Sequence, residues 1–133
     1  MAASVKVMLA GNRRYIINVT GTFGGADETD TVIVDVSTLT GPKGLAVDKV
    51  AIDEIWWSIN GYTGIKLEWN DTASGPADEL IDHYAGQGYM DYRSYGGKSP
   101  TGSATGAVGD VILTSSGGAT NGNFSLLINC RLK

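Results

Sequence analysis

Apolar and polar residues alternate along much of this chain. Val5, Val7 and Leu9 alternate with Ser4, Lys6 and Met8. After Gly11-Asn12, Tyr15, Ile17, Val19 and Phe23 fall on one side, and Asn18, Thr20 and Thr22 on the other. That is the period of an extended strand, whose successive side chains point to opposite faces. DTVIVDV is a short β-branched run bounded by turn residues, and STLTGPKG reads as the loop after it. Near the C-terminus, GDVILTS and NFSLLINCRLK read as two further strands, joined through SGGATNGN as a hairpin.

The middle of the chain, IDEIWWSINGYTGIKLEWND, carries all three tryptophans. Ile52, Ile55, Trp56 and Ile59 fit one face of a helix capped by Gly61. The strand reading is preferred, because the flanking segments are strands and β-branched and aromatic residues are concentrated here. As strands, the apolar set is Ile55, Trp57, Ile59, Ile65, Leu67 and Trp69, all odd-numbered. Directly paired residues share a face. A two-residue Asn60-Gly61 turn would put the two halves of that set on opposite faces. A five-residue loop from Asn60 to Gly64 pairs Ile59 with Ile65, Trp57 with Leu67 and Ile55 with Trp69. This hairpin predicts Trp57 and Trp69 in the core. Trp56 is then on the other face with Glu54, Ser58, Lys66 and Glu68, covered by a loop of its own chain or anchoring a partner.

Two segments are less regular. PADELIDHYAG fits a short helix opened by Pro76 and closed by Gly86, and equally a loop followed by a short strand, so residues 77–84 stay open between the two. YMDYRSYGGKSPTGSATGAVG reads as a long small-residue loop carrying Tyr89, Tyr92 and Tyr95. The whole predicts an all-β, single-domain antiparallel β-sandwich or jelly roll over residues 1–133, with about eight strands and long Gly-rich loops. Residues 1–10 form an N-terminal strand, or an arm that pairs with a neighbour's sheet edge.

Composition narrows the partners. The 133 residues carry a net charge of −4 with no basic patch, which argues against nucleic acid. Nineteen glycines imply many turns. The N-terminus lacks the charged and apolar regions of a secretory signal, and no run approaches the ~18 apolar residues of a membrane span. The expectation is therefore a chain folded in a cytoplasm, without a membrane partner. Cys130, the single cysteine, alternates with Phe124, Leu126, Ile128 and Leu132 and reads as a small buried hydrophobe.

The residues offer little catalytic machinery. His83 is the only histidine, so any Ser-His-Asp or Cys-His arrangement would have to use it. The GGKS at 96–99 fails as a phosphate loop, since Tyr92 stands where that motif needs glycine. Asp27, Glu28 and Asp30 match no EF-hand spacing and read as a solvated acidic turn rather than a calcium site. No catalytic residue, metal or cofactor is expected.

The stretches RYIINVTGTFGGADETDTVIVDVSTLTGP, KVAIDEIWWSINGYTGIKLEWNDT, GQGYMDYRSYGG and GDVILTSSGGAT with FSLLINCRLK resemble small virion-associated proteins of tailed bacteriophages. The resemblance spans nearly the whole chain from Arg14 and is a pattern of blocks rather than a catalytic signature. It implies a β-sandwich structural protein, a capsid decoration or cement protein assembled in a host cytoplasm. Its partners would be the major capsid protein and copies of itself, since such proteins cluster around symmetry axes, often as trimers. In that role Trp56, Tyr89, Tyr92 and Tyr95 contact neighbouring subunits, and Tyr62 completes the set of partner-binding candidates. The alternative is a carbohydrate-binding module whose platform is Trp56, Tyr62 and Tyr92.

Overall fold

A computed structural model describes residues 3–11, 13–29, 31–40, 44, 50–71, 79–98 and 107–132. These contain nine strands: β1 (Ser4–Ala10), β2 (Arg14–Thr22), β3 (Thr31–Val34), β4 (Val50–Asn60), β5 (Gly64–Asp71), β6 (Glu79–Tyr84), β7 (Gln87–Asp91), β8 (Ala107–Ser116) and β9 (Asn123–Leu132). Single 3-10 turns lie at Val36–Thr38 and Arg93–Tyr95. The strands form two antiparallel sheets. One has the order β1-β2-β9-β4-β7 and the other β3-β8-β5-β6. From β2 to β9 this is the strand order of a jelly roll, with β1 added at one edge. The expected antiparallel sandwich is present, and relative to an eight-stranded jelly roll β1 is the added edge.

Two expected hairpins are absent. β4 lies in the five-stranded sheet and β5 in the other, so the chain between them crosses the sandwich as an arch. The link is Gly61–Thr63. From Asn60 to Gly64 there are four residue steps of at most ~3.5 Å each, so the link can bend at Gly61 and still cross the ~10 Å between packed sheets. β8 and β9 likewise belong to opposite sheets and are joined by an arch. Consequently the register Ile59–Ile65, Trp57–Leu67 and Ile55–Trp69 does not form. β4 pairs instead with β9 and β7, and β5 with β8 and β6. Lys66 and Glu68, expected beside Trp56, are on the other sheet.

The face assignment survives this change of partners. Ile55, Ile59, Ile65, Leu67 and Trp69 are all buried between the sheets. Trp57 points the same way but is half-buried, its ring against Tyr84 at 4.9 Å and its indole N–H donating to the Ala85 carbonyl at 3.0 Å. Ile52 is buried as well, although its number is even. The cause is a bulge: the β4–β9 register shifts between Ile52 and Glu54, with Asp53 as the extra residue. That bulge produces the three-residue apolar spacing that imitated a helix.

Two further segments resolve. Glu79–Tyr84 is a strand, while residues 77 and 78 lie outside the described residues. The start of the expected tyrosine loop, residues 89–91, belongs to the edge strand β7.

Burial sets a pH dependence. Desolvation, with Asp53 nearby, pushes the Cys130 thiol from 9.0 up to about 12. Burial also raises Tyr84, and raises Tyr92 from 10.0 to about 12. The folded state keeps these groups protonated, whereas the unfolded chain releases their protons at ordinary values. Their contribution to stability is therefore complete below about pH 9 and is lost as pH rises toward 12, by up to ~1.4 kcal/mol per pH unit for each group. Urea midpoints should stay level up to about pH 8.5 and fall steeply above about pH 10. In the same samples Cys130 should resist a thiol reagent until the chain unfolds.

Candidate partner-binding surface

The outer face of the five-stranded sheet is built of rows that cross it from strand to strand. In the central row Tyr89, Trp56, Leu127, Asn18 and Lys6 are successive partners on β7, β4, β9, β2 and β1. One flanking row is Gln87, Ser58, Ser125, Thr20 and Ser4, wholly polar. The other is Asp91, Glu54, Asn129, Ile16 and Leu9. Over β7, β4 and β9 the apolar strip Tyr89, Trp56 and Leu127 thus lies between hydrogen-bonding groups on both sides. Trp56 is 39% exposed and Tyr89 44%. Their rings lie 5.0 Å apart, inclined at 34°.

Glu54 holds the pair in place. Its carboxylate accepts from the Tyr89 hydroxyl at 2.7 Å and from Asn129 Nδ2 at 3.1 Å, and Arg93 Nη2 approaches to 3.6 Å. Arg93 in turn donates Nε and Nη2 to the two oxygens of Asp91, at 3.0 and 2.8 Å. These bonds hold the Asp91 carboxyl down at about 2. The hydrogen bond to Glu54 raises the Tyr89 phenol. Tyr89 is thereby fixed over β4, and the Trp56 ring against it. A ring immobilised before binding loses less conformational freedom when a partner arrives.

The other sequence candidates lie elsewhere. Tyr62 is half-buried in the β4–β5 arch, edge-on to Phe124 at 5.5 Å and to Phe23 at 6.2 Å. Tyr92 is only 5% exposed. Its hydroxyl donates to Asp82 Oδ2 at 3.1 Å and accepts from Tyr84 at 2.9 Å, which ties the edges of the two sheets together. Tyr95 ends a 3-10 turn, and its side chain lies outside the described residues. The structure therefore joins Trp56 to Tyr89 and does not assemble a platform of Trp56, Tyr62 and Tyr92. Glu54 was expected on the face of Trp56, though not as the acceptor for Tyr89, while Leu127 and Arg93 were not anticipated. The unbroken apolar run Leu126-Leu127-Ile128 carried the signal for Leu127, since one residue of three consecutive strand positions must face outward.

Most of the acidic candidates have structural partners, although Glu28 Oε1 is buried without one. Asp27 Oδ1 accepts from Ser115 Oγ at 3.0 Å and from the Gly118 amide at 3.1 Å, and Glu28 Oε2 from Thr31 Oγ1 at 3.0 Å. The Asp27 bonds pin the β2–β3 loop to the end of β8 and the turn after it, and the Glu28 bond ties it to β3. Asp30 lies outside the described residues. Among the described residues no group of three or more His, Cys, Asp or Glu is arranged to hold a metal ion. His83 is exposed beside Lys66 and lines a cleft of about 320 Å³ with Thr63, Thr114 and Ser116. At the GGKS segment, Lys98 exchanges backbone hydrogen bonds with Ile52, both at 2.8 Å, and closes a strap alongside β4. No described helix is long and apolar enough to cross a membrane.

No family model matches the chain, and comparisons with curated proteins and with solved structures return no match.

Proposed function

We propose that this chain is a structural protein of a phage virion, a decoration protein that docks on the outer capsid surface through the outer face of its five-stranded sheet. The observation that carries the reading is the Trp56–Tyr89 pair, open to solvent and in ring contact, with Tyr89 hydrogen-bonded to Glu54 and Glu54 paired with Arg93. Tryptophan, tyrosine and arginine are the residues on which interface energy concentrates. The jelly-roll order and the sequence blocks support the reading by analogy, since jelly rolls recur in capsid proteins. The partners are the major capsid protein and further copies of this chain.

The test is rebinding of purified protein to capsids stripped of it. Wild type should co-sediment with them. Trp56→Ala should bind about 30-fold more weakly, the scale of a ~2 kcal/mol hot spot. Folded wild-type protein that does not rebind ends the proposal.

A second reading is carbohydrate binding. It is favoured by the polar rows beside the aromatic pair, above all Gln87, Ser58 and Ser125 on one side and Asn129 on the other. Under it, tryptophan fluorescence should respond to a panel of soluble glycans, and Trp56→Phe should remove the response.

A further inference from the structure

The two sheets differ by one strand. Short arches place β4 over β5, β7 over β6 and β9 over β8, which leaves β2 over β3. No described strand of the four-stranded sheet lies opposite β1. Val5 and Val7 pair with Val19 and Ile17, both fully buried, so they face inward. Yet Val5 is 37% exposed and Val7 46%, and every residue of β1 is exposed. Strand edges of this kind are normally blunted. β1 has only a bulge between Val7 and Leu9 and the single charge of Lys6. Val5, Val7, Met8 and Leu9 on β1, with Val32 on β3, make up five of the nine large hydrophobic residues exposed among the described residues. More than half of these residues thus flank one edge, with Val5 and Val7 on its inner side and Leu9 and Val32 on the two outer faces.

We infer that this edge joins two copies of the chain through a two-fold axis running along the strands. A step of one strand is its own complement under that axis. The β1 of each copy enters the position beside β3 of the other that no described strand fills. Each four-stranded sheet then continues into the partner's five-stranded sheet, and Val5 and Val7 of the two copies face one another across the ~10 Å sandwich. Such a contact is isologous and closes at two subunits. Charge favours the same occupant. β1 carries Lys6 and no acid, while β3 is uncharged and flanked by Glu28 and Asp35. The rival arrangement, β1 edge to edge with β1 of the partner, brings the two Lys6 residues together and leaves the inward valines uncovered.

The contact is small. Seven residues of β1 and four of β3 per copy fall well short of the ~20–30 residues a side of a standard interface. A dissociation constant in the micromolar range follows. The inference makes no use of the Trp56–Tyr89 surface, so dimerisation and capsid binding can fail independently.

Sedimentation of the full chain should show a monomer at about 1 µM and a dimer at about 200 µM, bracketing that range. The double variant Val5→Lys with Val7→Lys should weaken dimerisation at least tenfold and leave the circular dichroism spectrum unchanged. A second measurement does not depend on that variant folding. In Ser4→Cys with Val32→Cys, a short thiol cross-linker should give covalent dimers at high concentration, while each single variant gives none. Within one chain these positions lie on the outer faces of opposite sheets, and native Cys130 is buried. A monomer at the highest concentration overturns the inference. So does a trimer, or cross-linking of the Ser4→Cys single variant as efficient as that of the pair.

Discussion

Replacing Asp53 by alanine should lower the free energy of unfolding by about 3 kcal/mol, the low end of the range for breaking a buried ion pair. Asp53 is the bulge residue of β4 and is almost fully buried. Both its carboxylate oxygens accept from Arg131 Nε at 2.9 Å, and Oδ2 also from Arg14 Nη1 at 3.1 Å. Its backbone carbonyl receives the Tyr92 amide, and Arg131 reaches on to the Gly96 carbonyl. One carboxylate therefore ties β2, β4, β9 and the strap after β7. The low end applies because the two guanidinium groups, 45% and 39% exposed, can recover water when the carboxylate is gone. Asp53→Asn keeps the volume and one acceptor and should lose less. Urea denaturation at pH 7 measures both. A loss below about 0.5 kcal/mol for the alanine variant would mean the pairing contributes nothing beyond an ordinary surface position.

Gly61→Ala should cost about 3 kcal/mol for a different reason. Gly61 has φ +75°, in the left-handed region that costs other residues about 1–2 kcal/mol. A Cβ there would stand 2.6 Å from Gly122 Cα, and backbone cannot swing aside as a side chain can. Overpacking of this kind adds about 1–3 kcal/mol. The contact is where the β4–β5 and β8–β9 arches cross, and Ala119 N–H donates to the Gly61 carbonyl there at 2.8 Å. Gly86 supplies the control. Its φ is +64°, and nothing lies within 4 Å of a Cβ built on it. Gly86→Ala should therefore cost only about 1 kcal/mol. Equal losses at the two sites would show that conformation alone, and not the crossing of the arches, makes Gly61 necessary.

Both predictions concern residues whose importance the sequence hardly announces. Asp53 stands in a strand pattern as one more polar residue, and only the bulge turns it toward two arginines remote in sequence. Asn60-Gly61 resembles a two-residue hairpin turn, and parity argued against that turn. The same parity then favoured a longer hairpin, because the possibility that β4 and β5 lie in different sheets leaves no mark on alternation. Trp56 shows how far the reading extends. Its outward orientation follows from its number relative to Ile55 and Ile59. Its neighbours follow only in part: Glu54 and Ser58 share its face as expected, but Tyr89 lies on a segment that read as loop and Glu68 proved to be on the other sheet.

The sequence by itself determined the all-β class, the approximate positions of most strands and which side of each strand is buried. These depend on local quantities: a two-residue period, β-branched and aromatic content, and glycine at the turns. Only the tertiary structure decided which strands are lateral neighbours, where the extra residue at Asp53 reverses the alternation, and that one sheet outgrows the other by β1. The physical reason is that alternation reports solvent on one side and core on the other. An arch and a hairpin satisfy it equally, because in both the apolar faces of two consecutive strands meet the same core. The choice between them rests on backbone pairing with strands far away in the chain, such as β4 with β9, which a local pattern does not encode.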